Sequence, residues 1–377
     1  MKNNGAPPIG LYVHIPFCLQ KCLYCDFVSF TDVSAPRRAS YIASLCEEIR
    51  SYRRADTVAL DTVFFGGGTP SCLTEAEASQ IFGAIRETFA LCAGAEITFE
   101  ANPNTLSPEK LAHFRALGFN RVSLGLQSAD DGELRTLGRI HNRDDFLAAY
   151  RMVRDAGFSR VNVDLIYGIP KQTAESFART LDTVVALAPE HICCYALILE
   201  EETPFFRMRD RLAFPDEDEE CEMYETAVRV LGQNGYRHYE ISNYAKSGEE
   251  CRHNLHYWRD EEYIGVGIAA HSYFEGVRWG NTEKFSEYSD RFGIEYRTRE
   301  DSRGAADETE YAMLRLRLSE GLSLSEYRER FGVSFAEGKK DRLRFYRDRG
   351  YLAIKGDRLF LTDRGFYVSN AILTDLL

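Results

Sequence analysis

The chain has 377 residues, which suggests two or three domains, and 44% of them are hydrophobic, as in an ordinary globular protein with a buried core. It carries 46 basic and 58 acidic residues, a formal net charge of −12, which argues against nucleic acid as its main partner. We find no apolar run long enough to cross a bilayer or to form a signal peptide, so we expect a cytoplasmic protein whose ten cysteines stay reduced.

Three cysteines lie close together directly after the first predicted strand, in the segment YVHIPFCLQKCLYCDF at residues 12–27. Cys18, Cys22 and Cys25 have the spacing C-x3-C-x2-C. Three thiolates in one short loop can hold three irons of a [4Fe–4S] cluster and leave the fourth iron open. A zinc site that recruits His14, or a disulfide, fits less well, because zinc motifs usually contain two ligand pairs and three cysteines leave one unpaired.

Six segments have the composition of strands, and segments of helical length separate them. The strands are predicted at residues 11–17, 62–70, 96–103, 121–127, 160–168 and 191–199. This alternation is typical of parallel βα units and predicts an α/β fold, a (β/α)6 partial TIM-type barrel, over residues 1–205. In such folds the active site lies at the carboxyl ends of the strands.

Residues 206–300 are predicted to extend this barrel. An acidic-capped helix is expected from about Asp216 to Gln233, with Gly235 as its stop. Short, largely antiparallel β elements are expected at 236–245, 251–258 and 265–274.

Residues 301–377 form the last predicted domain. We expect two helices broken at Gly321, a third helix, a hairpin that turns at Gly356 and Asp357, and a closing helix. This order is that of a winged helix. Its local excess of basic residues is more often a solvated face than a DNA-binding surface.

The residues around the cysteines carry a resemblance to a known superfamily. Tyr12, His14, Pro16, Phe17 and Tyr24 make this stretch similar to the radical SAM superfamily, in particular to its branch around oxygen-independent coproporphyrinogen III oxidase. The resemblance implies a [4Fe–4S] cluster whose open iron binds S-adenosylmethionine.

The resemblance also implies which residues bind S-adenosylmethionine. The glycine turn GGGTP follows the second predicted strand, where backbone groups can approach a ligand closely. Several further polar residues lie at strand ends that face the same mouth, although a polar group that merely ends a strand remains an alternative for each one alone. The implied set is Tyr12, Tyr24, Gly67, Gly68, Thr69, Glu100, Gln127, Arg139 and Asp164.

Two features separate the chain from the oxidase. It lacks a fourth cysteine two places after Cys25, and it contains an HN-x-x-YW pattern at His253, Asn254, Tyr257 and Trp258. Both features resemble the HemW heme chaperones of the same branch, and they imply haem binding with His253 as the first choice of ligand. His256 or Cys251 could substitute, and a purely structural role for His253 and Asn254 remains open.

The resemblance therefore implies a haem chaperone that transfers haem to acceptor haem proteins, including membrane-bound respiratory enzymes. The sequence leaves a homodimer open. The alternative is an enzyme, oxygen-independent coproporphyrinogen III dehydrogenase, which removes two propionate carboxyls through substrate radicals.

Overall fold

The computed structural model describes residues 7–290, 298–299 and 306–377. Six parallel strands, each paired with the next along the chain, form its centre. They are β1 (Ile9–Ile15), β2 (Ala59–Gly67), β3 (Ala90–Ala101), β4 (Arg121–Gln127), β5 (Arg160–Tyr167) and β6 (His191–Ala196). The predicted parallel α/β core is confirmed.

Helices cross over between these strands. They are α1 (Ala35–Ser51), α2 (Glu75–Thr88), α3 (Pro108–Leu117), α4 (Asp131–Thr136), α5 (Arg143–Asp155) and α6 (Ala174–Leu187). Local sequence fixes several of their starts. In α2 the Thr74 side chain accepts a hydrogen bond from the Glu77 N–H while the Glu77 carboxylate accepts one from the Thr74 N–H, so two otherwise unpaired helix donors are satisfied.

Alternation along the strands separates the apolar core from the site. In β1 Leu11, Val13 and Ile15 are fully buried and belong to the main hydrophobic core. The residues between them, Tyr12 and His14, point to the other face, because successive side chains of a strand alternate. The same period brings the polar residues of β3, β4 and β5 to one interior surface.

The region after β6 extends the sheet at both edges. Its elements are α7 (Pro204–Met208), α8 (Glu217–Gln233), β7 (Arg237–Glu240), β8 (Asn243–Ala245), α9 (Arg252–Trp258), β9 (Tyr263–Val266), β10 (His271–Phe274), β11 (Val277–Gly280), α10 (Phe285–Asp290) and β12 (Thr298–Arg299). The strand order is β12-β11-β10-β9-β1-β2-β3-β4-β5-β6-β8-β7, so the sheet of the described residues is open. The predicted helix at 216–233 is confirmed.

One prediction for this region is wrong. Residues 251–258, predicted as a β element, form helix α9, because a short run of mixed apolar and polar residues fits either period and here His253 and Tyr257 are hydrogen-bonded across one helical turn. The β elements of this region are largely antiparallel, as expected, with the exception that β9 pairs in parallel with β1.

The C-terminal elements follow the predicted order. They are α11 (Glu308–Leu316), β13 (Leu322–Ser323), α12 (Leu324–Phe331), α13 (Lys340–Asp348), β14 (Leu352–Lys355), β15 (Arg358–Leu361), α14 (Asp363–Tyr367) and α15 (Ser369–Leu376). The break falls at Gly321, whose φ is +69°, and the hairpin turns at Gly356 and Asp357 as expected. The closing helix is split in two. The winged-helix assignment and the boundary at residue 205 stay predictions, and the predicted boundary at 300 lies outside the described residues.

Among the helices in the described ranges, none combines the length and the apolar character that a membrane span needs.

Candidate functional site

The cysteine loop leaves the carboxyl end of β1 and is fixed by backbone hydrogen bonds. The Cys18 N–H donates to the Phe30 carbonyl at 3.0 Å, and the Leu23 N–H donates to the Leu137 carbonyl at 3.1 Å. The loop is therefore hydrogen-bonded both to the segment that follows it, at Phe30, and to the segment that follows α4, at Leu137. The thiols of Cys18, Cys22 and Cys25 are free and partly exposed.

The three thiols line one space and do not meet at a single point. No group of three His, Cys, Asp or Glu side chains in the described part of the chain converges on one metal ion. His14 is turned away, since its ring nitrogens contact the Tyr12 hydroxyl and the Val28 carbonyl. In a four-iron cluster each thiolate binds a different iron, so the three sulfurs must line one cavity but need not converge on a single position.

A cavity of about 290 Å³ lies against these thiols. A volume near 300 Å³ is at the lower end of the range for small-molecule sites. The predicted site residues in its wall are Cys18, Cys22, Tyr24, Cys25, Gly67, Gly68, Thr69, Glu100, Gln127, Arg139 and Asp164. The structure thus gathers eleven of the twelve predicted cluster and S-adenosylmethionine residues around one space.

The glycine turn after β2 forms one wall of this cavity. Gly67 has a φ of +106°, and a Cβ atom on it would lie 2.5 Å from the His14 ring, so both the backbone and the space require glycine. The Thr69 N–H donates to the Phe17 carbonyl at 2.8 Å, and the Thr69 hydroxyl lies 3.5 Å from the Cys18 sulfur. The turn is therefore locked to the start of the cysteine loop.

Arg139 connects the cysteine loop to the strands. Its guanidinium donates to the Cys22 sulfur at 3.5 Å and to the Gly125 carbonyl at 3.0 Å, and it also contacts the Asn102 side chain. Burial opposes its charge, but the neighbouring Tyr24 and Cys22 raise the pKa of Arg139. This places a fixed positive charge beside the thiols.

Two carboxyl groups lie deeper in the cavity. Burial, together with the nearby Asp164, raises the pKa of Glu100 to about 8. Burial also raises the pKa of Asp164, although its oxygens accept hydrogen bonds from Ser123 at 2.8 Å and Asn162 at 2.7 Å. A ligand that brings an ammonium or ribose hydroxyls would stabilise the ionised forms of these two carboxyl groups by pairing or hydrogen bonding with them.

Gln127 ends β4 with an unusual backbone. Its φ is +70°, in the left-handed region that residues other than glycine rarely adopt, and its side chain is buried. Strain of this kind is often found at binding sites.

Tyr12 lies outside this cavity, in an inner chamber of about 200 Å³ that shares Gly67, Glu100 and Asp164 with it. Asn254 also lines this chamber. Burial raises the pKa of Tyr12 far above its usual value.

The HN-x-x-YW segment forms α9, which packs at the amino ends of the strands and not at the cysteine loop. The Arg252 guanidinium donates to the Gly94 carbonyl at 3.0 Å, and a Cβ on Gly10 would lie 3.2 Å from the His253 ring. The amino ends of parallel strands lie on one side of the sheet and the carboxyl ends on the other, so α9 and the cysteines lie at opposite ends of the strands.

His253 is 1% exposed and both of its ring nitrogens are hydrogen-bonded. One bonds the Thr62 hydroxyl at 2.9 Å and the other the Tyr257 hydroxyl at 2.8 Å. Burial lowers the pKa of His253 to about 3. Its predicted role as a haem ligand stays a prediction, and it would require one of these bonds to open. Trp258, also assigned to haem, lies 5.8 Å below the Arg317 guanidinium.

Three residues that position the site escaped the sequence analysis. Asn102 donates to the Thr69 hydroxyl at 2.8 Å and also contacts Arg139, while Ser123 and Asn162 hold Asp164. Each lies two residues from a predicted site residue or in register with one on a neighbouring strand. Because alternate residues of a strand face the same side, the pattern could have predicted that these three side chains lie on the same face as the predicted site residues.

Comparison with known proteins shows the family. Residues 12–184 match the radical SAM superfamily and residues 309–368 match the HemN C-terminal domain. Heme chaperone HemW of Lactococcus lactis is 34% identical over 373 residues, covering 98% of this chain and 97% of its own length. Heme chaperone HemW of Mycobacterium tuberculosis is 36% identical over 380 residues, covering 98% and 95%.

The solved structure of coproporphyrinogen III oxidase (HemN) from Escherichia coli, a radical SAM enzyme, has the same fold. It is 24% identical, has a TM-score of 0.82, and is matched over 98% of this chain and 90% of its own. The two chaperones share more sequence identity with this chain than the oxidase does, also over nearly the full length. The chain therefore belongs to the HemW heme chaperone family of the radical SAM superfamily.

Proposed function

We propose that this protein binds haem and transfers it to acceptor haem proteins, and that it does so on a scaffold that holds a [4Fe–4S] cluster and S-adenosylmethionine. The acceptors would include respiratory enzymes at the membrane. Membership in the HemW family supports the haem-binding part of the proposal. Three thiols and eight further predicted residues line one cavity, and this supports the cofactor part of the proposal.

Cys18, Cys22 and Cys25 would hold the cluster, and Tyr24, Gly67, Gly68, Thr69, Glu100, Gln127, Arg139 and Asp164 would hold S-adenosylmethionine, with Tyr12 in the adjoining chamber. Together the two groups supply one-electron chemistry at a carbon–sulfur bond when bound. In the chaperone this pair would regulate haem transfer or dimerisation.

The protein's own groups prepare this site electrostatically. The Arg139 guanidinium keeps its charge beside the Cys22 sulfur and balances the negative charge that thiolates bring. Glu100 holds its proton at neutral pH because of burial, so it can donate a hydrogen bond to a ligand oxygen or give the proton up to pair with an ammonium.

The single observation that carries the proposal is the HemW similarity over 98% of the chain. Anaerobically reconstituted protein should bind ferric haem saturably, near one haem per chain, in an absorbance titration. Haem-loaded protein should restore activity to a haem-free respiratory enzyme faster than the same concentration of free haem. In a separate assay, it should not form protoporphyrinogen IX from coproporphyrinogen III over multiple turnovers. Failure to bind haem, or such turnover, would overturn the proposal.

The cluster assignment has its own test. Cys22→Ser should abolish the visible absorbance of the cluster and most of the bound iron and sulfide, because one of three ligands is lost. Cys92→Ser, a partly exposed cysteine of β3, is the matched control and should keep both. Unchanged iron content in Cys22→Ser would contradict the assignment.

A further inference from the structure

We infer that haem binds in a third cavity, between α8 and the C-terminal domain, with Cys221 as iron ligand and with Arg229 and Arg364 paired to the propionates. This inference rests on the proposed function, since it names the site of haem binding. The site is distinct from the radical SAM cavity and from α9.

The cavity has a volume of about 540 Å³, larger than both cavities of the central sheet. Helix α8 provides one wall, and α14 and the residue before β14 provide the other. Its lining residues are Cys221, Tyr224, Glu225, Val228, Arg229, Tyr351, Asp363, Arg364, Tyr367 and Val368. A pocket of this size is within the range of sites for large organic ligands.

The walls present flat and apolar surfaces. The rings of Tyr224 and Tyr367 lie 5.3 Å apart, and each hydroxyl donates to a backbone carbonyl on the opposite wall: Tyr224 to Asp363 at 3.0 Å and Tyr367 to Glu217 at 3.1 Å. These bonds fix the two walls relative to each other. With Tyr351, Val228 and Val368 they suit a planar macrocycle.

Two exposed guanidinium groups lie at the mouth. Arg364 stacks on the Tyr351 ring at 5.3 Å, and Arg229 makes only a 3.5 Å contact to the Thr226 hydroxyl. Neither is ion-paired to any residue between 7 and 290 or between 306 and 377. Haem carries two propionates, so the number and sign of these charges complement it.

Cys221 supplies a ligand for the iron. Its thiol is free and partly exposed, and it lies two helical turns before Arg229, roughly 12 Å along α8. Cysteine thiolate is an established type of axial haem ligand. On binding ferric iron the thiol would release its proton to solvent, with no change in oxidation state.

Two carboxylates also line the cavity, and one of them opposes this ligand. Glu225 and Asp363 are both exposed at its edge, and Glu225 raises the pKa of the Cys221 thiol after the effect of burial. Haem binding should therefore tighten when Glu225 is replaced by glutamine. This effect has the opposite sign to that of the arginine substitutions.

The experiment is a ferric haem titration of the reconstituted full-length protein, with Soret spectra and electron paramagnetic resonance. Cys221→Ser should remove the thiolate signature and weaken binding about tenfold, and Arg229→Gln with Arg364→Gln should weaken it about tenfold. Val228→Trp, which fills the cavity without removing a ligand, should also weaken it, while Glu225→Gln should strengthen it. Cys92→Ser and Arg179→Gln are the matched controls. Circular dichroism and cluster absorbance report folding.

The outcomes separate the two claims. If the wild-type protein binds no haem, the proposed function fails, and this inference fails with it. If it binds haem but the Cys221, arginine and Val228 variants bind as tightly as wild type, only the inference is overturned. Loss of binding in His253→Gln alone would assign haem to α9 instead and would equally overturn it.

Discussion

At the scale of single residues, burial decides the chemistry of Glu100. Its carboxyl lies in a cavity shared with Asp164, and its pKa is raised to about 8 from an ordinary 4.5. The folded protein therefore keeps a proton that the unfolded chain releases between these values. Stability contributed by this group is full below pH 4.5 and falls as the pH rises toward 8.

Glu100→Gln should therefore raise the free energy of unfolding of the cofactor-free protein at pH 7, by roughly 1–3 kcal/mol. The same change should weaken S-adenosylmethionine binding, because a carboxyl group of the cavity wall is lost. Urea denaturation at pH 5 and pH 7 measures the first effect and equilibrium dialysis the second. Glu47→Gln, an exposed glutamate of α1, is the control. Equal stability of Glu100→Gln and wild type at pH 7 would contradict the assignment.

At the scale of elements, α9 is attached to the central sheet by an ion-pair cluster. His256 lies 2.8 Å from the Asp61 carboxylate and 2.9 Å from that of Glu261, and its side chain is 5% exposed. Burial opposes its charge, but the two carboxylates raise the pKa of His256 to about 9 from 6.5. The charged imidazole therefore stabilises the docking of α9.

This arrangement predicts an alkaline loss of stability. The contribution of His256 is full below pH 6.5 and is lost as the pH rises through 9, up to about 3 kcal/mol. The difference in free energy of unfolding between wild type and His256→Gln should shrink over that interval. His113→Gln, on α3 beside Ser79, serves as control. A difference that stays constant from pH 6 to pH 9.5 would exclude the charged form.

At the scale of the whole molecule, Asp260 connects the C-terminal domain to the rest of the chain. Its side chain is fully buried, 2.9 Å from the Arg278 guanidinium of β11 and 2.6 Å from that of Arg330 in α12. Arg278 also pairs with Glu310 of α11. This carboxylate thus contacts β11 and α12 directly and is linked to α11 through Arg278.

Asp260→Ala should lower the free energy of unfolding by about 3 kcal/mol, because it leaves two guanidinium groups without their buried partner. It should also make the C-terminal domain more sensitive to limited proteolysis. Glu320→Ala removes the ion pairs of a partly exposed glutamate with Arg259 and Arg315 and should cost less than Asp260→Ala. Equal losses in the two variants would show that Asp260 does not couple the domain to the core.

The sequence by itself determined the features that depend on local spacing. The period of the strands, the C-x3-C-x2-C loop and the glycine turn at Gly67 each follow from a few neighbouring residues, so the parallel core and the composition of one cavity wall were predictable. The strand-end positions of Glu100 and Gln127 followed as well, because parallel strands share one carboxyl edge. The predicted strand-end position of Asp164 is wrong, since Asp164 lies in the middle of β5, although its side chain still lines the same cavity.

Only the tertiary structure decided what depends on partners far along the chain. The eight residues 251–258 fit either period, and the helix is selected by contacts of His253 with Thr62 and of His256 with Asp61, nearly two hundred residues away. The cavity beside Cys221 exists because Tyr224 and Tyr367 join α8 to a domain more than a hundred residues later. Such pairs are set by how the packed elements meet, and no local pattern encodes them.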